Sequence, residues 1–299
     1  MRFIEYRGDR ISKLSLGTVQ FGLDYGIANR SGQPNQKNVN KIIEYVYKNE
    51  INCFDTAQAY GNSEEVLGRA IGDKSELFII SKLKSDIFKK DANKSVELSL
   101  KNLNLFSLYA LLLHDSELLF NWSEEYAVAV EELKKSQKIK YFGVSIYNNQ
   151  DFELALENRH IEFIQIPFNI FDQRAITEKW LERAKKYNKL IFIRSIFLQG
   201  LFFMEESELP KNLEKAKKPL KVFREYAQNL NMSRGELALS FVDSVASDSL
   251  LLFGCDNLEQ AQENINSYNQ LKKLDTEIIN KITESFKNID EQIYNPTKW

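Results

Sequence analysis

Cysteine is almost missing from this chain. Cys53 and Cys255 are the only two in 299 residues, far apart and in no metal-like spacing. A disulfide framework and a cysteine-built zinc module are therefore excluded, and a reducing compartment fits. Histidine is equally scarce, with only His114 and His160, so no His and Asp/Glu ligand cluster stands at a strand end to support a metal-dependent hydrolase. No Gly-x-Gly-x-x-Gly occurs, which argues against a Rossmann-type nucleotide site. Neither sign of charge dominates: 40 Lys plus Arg against 42 Asp plus Glu leave a net charge of -2, without the footprint of a nucleic-acid or anionic-membrane binder. No long apolar run is present. The greasiest stretch, Leu190 to Met204, is interrupted by Arg194 and Gln199 and is too short to span a bilayer. The start, Met1 to Arg7, lacks the apolar core of a signal peptide. These absences point to a cytoplasmic protein.

What is there is a regular alternation. A small hairpin is expected from Phe3 to Tyr6 and Arg10 to Ser12, around Gly8-Asp9. Short apolar strands are expected at Leu14–Gly17, Ile51–Phe54, Leu77–Ser81, Leu108–Leu113, Ile139–Val144, Phe163–Ile166, Leu190–Ile193 and Leu250–Phe253. Most are separated by one amphipathic helical pattern: Gln36–Asn49, Ser63–Ile71, Asp91–Leu103, Ser123–Lys135, Asn149–Glu157 and Thr177–Tyr187. Further helices are expected at Leu213–Asn229, Arg234–Val245, Asn257–Ser267 and Asp275–Phe286, with an irregular tail from Tyr294. Strands alternating with helices imply a parallel sheet covered by helices. Eight repeats in about 250 residues suit a (β/α)8 TIM barrel better than a doubly wound sheet. No Pro/Gly-rich linker or composition break divides the chain, so residues 1–299 read as a single domain with an N-terminal hairpin and extra C-terminal helices.

In such barrels the chemistry sits at the C-terminal ends of the strands. Three successive apolar runs here end in Asp55, Lys82 and His114, and Tyr60 lies in the turn after the first. A carboxylate and a phenol at a strand end are poor packing choices and good choices where a proton must be delivered. Glu64 and Glu65 follow in the first turn of a helix, where the dipole favours negative charge, with Asn62 or Ser63 as its cap. Each residue alone has a bland reading: Asp55 as a turn former, Tyr60 as turn packing, Lys82 as a surface lysine, His114 as a buried structural histidine. Together in one barrel layer they are hard to explain by packing. His160, in Glu157-Asn158-Arg159-His160, reads as a solvated loop residue.

Asp55-Thr56-Ala57-x-x-Tyr60-Gly61, followed by Lys82 and His114, resembles the aldo-keto reductase superfamily over about Leu16 to Asn264. The resemblance implies reduction of an aldehyde or ketone with hydride from a nicotinamide cofactor. Tyr60 is then the proton donor, Lys82 the ammonium that stabilises its phenolate, Asp55 the partner of Lys82, and His114 the group that orients the substrate oxygen. The resemblance also implies a cofactor trench that includes Gly17 and Thr18. Ser145, of Gly143-Val144-Ser145, and Gln165 would hold the carboxamide, while Ile146 stands where the family has Asn. Arg194 stands where the family has an aromatic that stacks on the nicotinamide. Ser195, Ile196, Phe197, Gln199 and Gly200 would wrap the pyrophosphate. Gly254, Asp256, Gln260, Glu263 and Asn264 would face the adenosine, where NADPH-preferring relatives carry Lys or Arg. The family therefore implies NADPH, and the acidic Asp256 leaves NADH possible.

The opening Gly17-Thr18-Val19-Gln20-Phe21-Gly22 and Asn62-Ser63-Glu64 look like family members found among sugar and surface-polysaccharide genes, which suggests a sugar-derived carbonyl and a place in polysaccharide biosynthesis. Tyr25, Phe120, Trp122 and Phe202 are candidate pocket residues, on loops after the strands. The alternative is a barrel that binds nicotinamide nucleotide as a non-catalytic sensor or accessory subunit. The expected partner is a small carbonyl compound, with no nucleic acid and no membrane, and the oligomeric state is not legible.

Overall fold

The computed structural model describes residues 1–299. Ten strands form, β1 (Phe3–Tyr6), β2 (Asp9–Ser12), β3 (Leu14–Gly17), β4 (Cys53–Asp55), β5 (Phe78–Leu83), β6 (Leu108–Leu113), β7 (Ile139–Ser145), β8 (Phe163–Pro167), β9 (Leu190–Arg194) and β10 (Leu250–Phe253). Strands β3 to β10 close into a parallel barrel in sequence order, with β10 paired to β3. The eight-stranded barrel is the expected one. It closes because each strand is followed by chain that packs back outside the sheet, so both faces of every strand are covered.

The period of two along each strand fixes what the barrel contains. In β5, Ile79 and Leu83 join the apolar layer under the helices, while Phe78 and Ile80 join the packed interior. The same parity carries Lys82 inward. In β4 Cys53 and then Asp55 point in, in β8 Phe163 and then Gln165, and in β9 Leu190, Phe192 and then Arg194. The lower interior is apolar and aromatic, and the last inward residue is polar or small in most strands, the exceptions being Leu112 of β6 and Leu252 of β10. The hairpin β1–β2, paired Phe3 to Ser12 and Tyr6 to Asp9, closes the lower end. Its Tyr6 ring stands edge-on to Tyr141 at 5.4 Å and to Phe163 at 5.3 Å.

Some helices depart from the expected bounds. The one expected from Asp91 starts at Ser85 and is interrupted at Asp91, with φ -168 and ψ 90. There the carboxylate accepts from Lys94 N at 2.9 Å and restarts the helix as a local cap. The Thr177–Tyr187 pattern becomes a short turn, Arg174–Thr177, and a helix, Trp180–Lys186, split by the left-handed Lys179. Trp180 decides the second start: it is fully buried and stacks on Phe152 at 5.3 Å. The tail is more ordered than its composition suggests, with Glu291–Tyr294 helical and Pro296–Lys298 in a 3-10 turn. His160 is buried rather than solvated, with Nδ1 3.0 Å from Glu131 and its ring against Trp122. No helix is long and apolar enough to cross a membrane.

Candidate active site

The upper end of the barrel opens into a cleft of about 1060 Å³. Asp55, Tyr60, His114, Ser145, Gln165 and Arg194 line its floor, and Lys82 lies directly beneath, fully buried. Tyr60 reaches the floor because its turn sits flat on an earlier loop. Gly22 and Gly61 make that contact: a Cβ on Gly22 would lie 1.8 Å from Tyr60 O, and Gly61 adopts φ +57 with its Cβ direction 2.3 Å from Gly22 O. The helix then starts at Ser63. Neither expected cap acts as one: Asn62 accepts from Gln33 instead, and Ser63 donates to Thr18 O at 2.7 Å.

The Lys82 ammonium has three N–H groups and uses all three. It donates to Asp55 Oδ2 at 2.5 Å, to Thr56 O at 2.8 Å and to the Tyr60 hydroxyl at 3.4 Å. The second oxygen of Asp55 accepts from Gln165 Nε2 at 2.9 Å. The His114 ring stands edge-on to Tyr60, centroids 5.3 Å apart. Burial pulls the Lys82 pKa below the ordinary lysine value, and Asp55 works to keep it charged. Burial, with the charge of Lys82 second, pushes the His114 imidazole down to about 3. His114 is therefore neutral near pH 7 and can donate or accept one hydrogen bond at an oxygen, but not carry charge to it.

The Tyr60 phenol differs from the sequence expectation. Its pKa lies above the ordinary tyrosine value, raised first by burial and then by the charge of Asp55. With Asp55 2.5 Å from Lys82, the ammonium is largely cancelled. The cation that does lower the Tyr60 pKa is Arg194.

The remaining expected residues spread along the same cleft. Gly17, Thr18, Ser195, Ile196, Phe197, Gln199 and Gly200 line its middle, and Gly254, Asp256, Gln260, Glu263 and Asn264 its far end. At that end Asp256 accepts from Gln260 Nε2 at 3.1 Å, and burial raises its carboxyl pKa. Tyr25 lines the mouth. Phe120 and Trp122 do not line the cleft, which corrects the sequence expectation. Phe120 is exposed, and Trp122 turns away to pack on Tyr126 and Phe142 at 6.0 Å each. Phe202, in turn, is fully buried against Phe171 and Phe223.

Gln20 and Tyr147 are among the cleft residues that escaped the sequence reading. Gln20 faces Gly254, whose missing Cβ leaves room for it: a Cβ there would lie 2.6 Å from Gln20 Nε2. Tyr147 lies just beyond the end of β7. Its N–H donates to Asp151 at 3.2 Å and its carbonyl accepts from Arg174, which is paired with the buried Asp172. Arg194 sits over its ring at 4.2 Å. The parity that turns Tyr141, Gly143 and Ser145 inward would have pointed to Tyr147 as well.

A long cleft running from an acid–base cluster to a polar far end fits an extended nucleotide. Two buried atoms of its residues, Gln20 Oε1 and His114 Nδ1, have no hydrogen-bond partner within the protein, as expected of groups that meet a ligand. No group of His, Cys, Asp and Glu is placed to hold a metal ion.

The chain is similar to several known proteins. An oxidoreductase of unassigned activity from Bacillus subtilis, YqkF, is 24% identical over 293 residues, covering 90% of each chain. The aldo-keto reductase YhdN of the same organism is 27% identical over 246 residues, covering 75% of this chain and 72% of its own. The holo form of an aldo-keto reductase from Bacillus halodurans superposes with a TM-score of 0.78 at 20% identity, covering 100% of this chain and 99% of its own. An aldo-keto reductase from Klebsiella pneumoniae in complex with NADPH gives 0.73 at 18% identity, covering 95% of each chain. These superpositions carry the fold. A sequence model of the aldo/keto reductase family matches residues 13–286, which contain all eight barrel strands and every residue of the polar floor, and so the chain belongs to the aldo/keto reductase family.

Proposed function

We propose that the protein reduces an aldehyde or ketone, reversibly, with Tyr60 as the proton donor. The observation that carries this is the Lys82 ammonium: one buried group bonds Asp55, the Thr56 carbonyl and the Tyr60 hydroxyl, while Tyr60 and His114 face the same cleft. The nicotinamide cofactor would supply the hydride. Ser145 and Gln165 line the cleft where the family resemblance puts the nicotinamide carboxamide, and Ser195 to Gly200 where it puts the pyrophosphate. Fully buried Ile146 lies in place of the family's Asn.

The chain's own part is to deliver and balance a proton. As charge develops on the carbonyl oxygen, the Tyr60 O–H donates to it, and the phenolate left behind accepts from Lys82. The neutral His114 holds the same oxygen by a hydrogen bond. Asp55 fixes Lys82 in line with the phenol, so the ammonium moves little during the transfer. A phenol is protonated at neutral pH even at its ordinary pKa of about 10, and burial holds Tyr60 in that form.

NADPH is the cofactor we assign, as in the Klebsiella relative. The adenosine end carries Asp256 and Gln260, and no Lys or Arg lies between Phe253 and Asn264, so NADH is the competitor to test. The branch resemblance puts sugar-derived aldehydes first among substrates. The test is a fluorescence titration of the protein with each reduced cofactor, followed by turnover on a carbonyl panel. Binding with turnover is expected. Binding without turnover on any carbonyl would assign a sensor role instead, and binding of neither cofactor by folded protein would remove the reductase reading.

A further inference from the structure

Arg194 is the last inward residue of β9 and is half-buried on the floor of the cleft. Every other arginine except the exposed Arg159 has a carboxylate within 4.0 Å. Arg194 has none. Its contacts are neutral: Nη2 donates to Ile146 O at 3.1 Å, Nη1 to Ser195 Oγ at 3.4 Å, and one face of the guanidinium lies over Tyr147. A guanidinium carries five N–H donors, so three are left without a protein partner. These donors and an uncompensated charge face the cleft and are free to bond an anion that enters it.

The surroundings make the imbalance specific. Asp55 and Lys82 cancel each other at 2.5 Å, and His114 is neutral near pH 7. The floor of the cleft therefore carries one net positive charge, and Arg194 is its source. The charge lies on the reacting side of the cleft, since it acts on Tyr60, Lys82 and His114 alike. A cation there also opposes the positive charge that a nicotinamide ring acquires on giving up hydride. An anion on the substrate would both pair with Arg194 and remove that opposition, and a planar guanidinium suits an oxyanion in geometry as well as in charge.

We propose that Arg194 selects carbonyl substrates that carry an oxyanion, a carboxylate or a phosphate, by pairing it with the unpartnered edge of its guanidinium. This rests on the reductase reading. The test compares matched substrates, succinic semialdehyde with butanal and glyceraldehyde 3-phosphate with glyceraldehyde, on the wild-type protein, Arg194→Lys and Arg194→Gln. The wild type is expected to favour one or both anionic members by at least about 10-fold in kcat/KM, the loss expected for one charge-assisted hydrogen bond. The pair that shows the preference identifies carboxylate or phosphate. Arg194→Gln should abolish the preference, lowering kcat/KM for the anionic member of a pair at least about 10-fold more than for its neutral partner, with Arg194→Lys between.

Calorimetric binding of 4-hydroxybutyrate, and separately of inorganic phosphate, to protein saturated with NADP⁺ should weaken in the same order for the preferred oxyanion. Equal use of charged and neutral substrates by the wild type overturns the proposal. So does an equal loss for both in Arg194→Gln, which would mean a purely structural role, or a loss confined to cofactor affinity. Turnover of no carbonyl, charged or neutral, would remove the reductase reading and this proposal with it.

Discussion

The closed and open ends of the barrel use the same three residue types in different company. At the closed end Asp9 accepts from Lys140 at 2.6 Å and from the phenols of Tyr109 at 3.0 Å and Tyr141 at 3.3 Å. At the open end Asp55 accepts from Lys82, and Lys82 reaches the Tyr60 phenol. The order of contacts is reversed. Below, each phenol gives its proton toward a carboxylate, so ionising it would place two anions together. Above, the phenol faces an ammonium on one side and a cleft on the other. Burial raises both Tyr60 and Tyr109 above the ordinary tyrosine pKa. What separates them is the partner left behind when the proton goes: an aspartate below, and Lys82 with Arg194 nearby above. An Asp–Lys–Tyr set is thus a structural clasp or a proton donor according to which member lies between the other two.

The lysines test this comparison most severely. Lys82→Met leaves the fully buried Asp55 carboxyl without its cation and with only Gln165 to bond it, and should cost about 3–5 kcal/mol by urea unfolding. Carbonyl turnover should fall at least about 100-fold. Lys140 is half-exposed, and Lys140→Met should cost less than about 1 kcal/mol with turnover unchanged. Comparable losses from the two would dissolve the distinction.

The imidazole gives the next largest effect. Its folded pKa of about 3 lies below the ordinary 6.5. As pH falls from about 6.5 toward 3, the unfolded chain takes up a proton that the folded chain refuses. Stability should therefore drop by up to about 1.4 kcal/mol per pH unit through this group. His114→Asn should flatten that decline in unfolding curves measured across the window; an unchanged slope would mean the ring is solvated. The smallest effect belongs to Tyr109→Phe. It removes one hydrogen bond to Asp9 and should cost about 0.5–1.5 kcal/mol in unfolding free energy, with kcat/KM unchanged.

The barrel was legible because buried parallel strands are short continuous apolar runs, and each run here ends at a change of character. Asp55, Lys82 and His114 were legible for the same reason: an ionisable residue at the end of such a run is conspicuous, and the period of two aims it inward. Loop residues carry no such constraint. Phe120 and Trp122 follow the same strand end as His114, yet Trp122 folds down onto Tyr126 and Phe142, a path set by tertiary packing that no local pattern records. His160 looked solvated in a polar stretch, and Glu131 and Trp122, distant in sequence, bury it. The isolation of Arg194 could not be read either, since the want of a carboxylate partner is a property of the assembled cleft. Its position was readable, and the family comparison marked it as unusual there.

The most direct measurement is a single turnover of Tyr60→Phe and the wild type, each saturated with NADPH and mixed rapidly with a reducible aldehyde. If Tyr60 delivers the proton, the variant should bind NADPH with unchanged affinity and oxidise it at least about 100-fold more slowly. Equal rates in the two proteins would contradict the role assigned to the phenol and, with it, the contrast drawn between the two ends of the barrel.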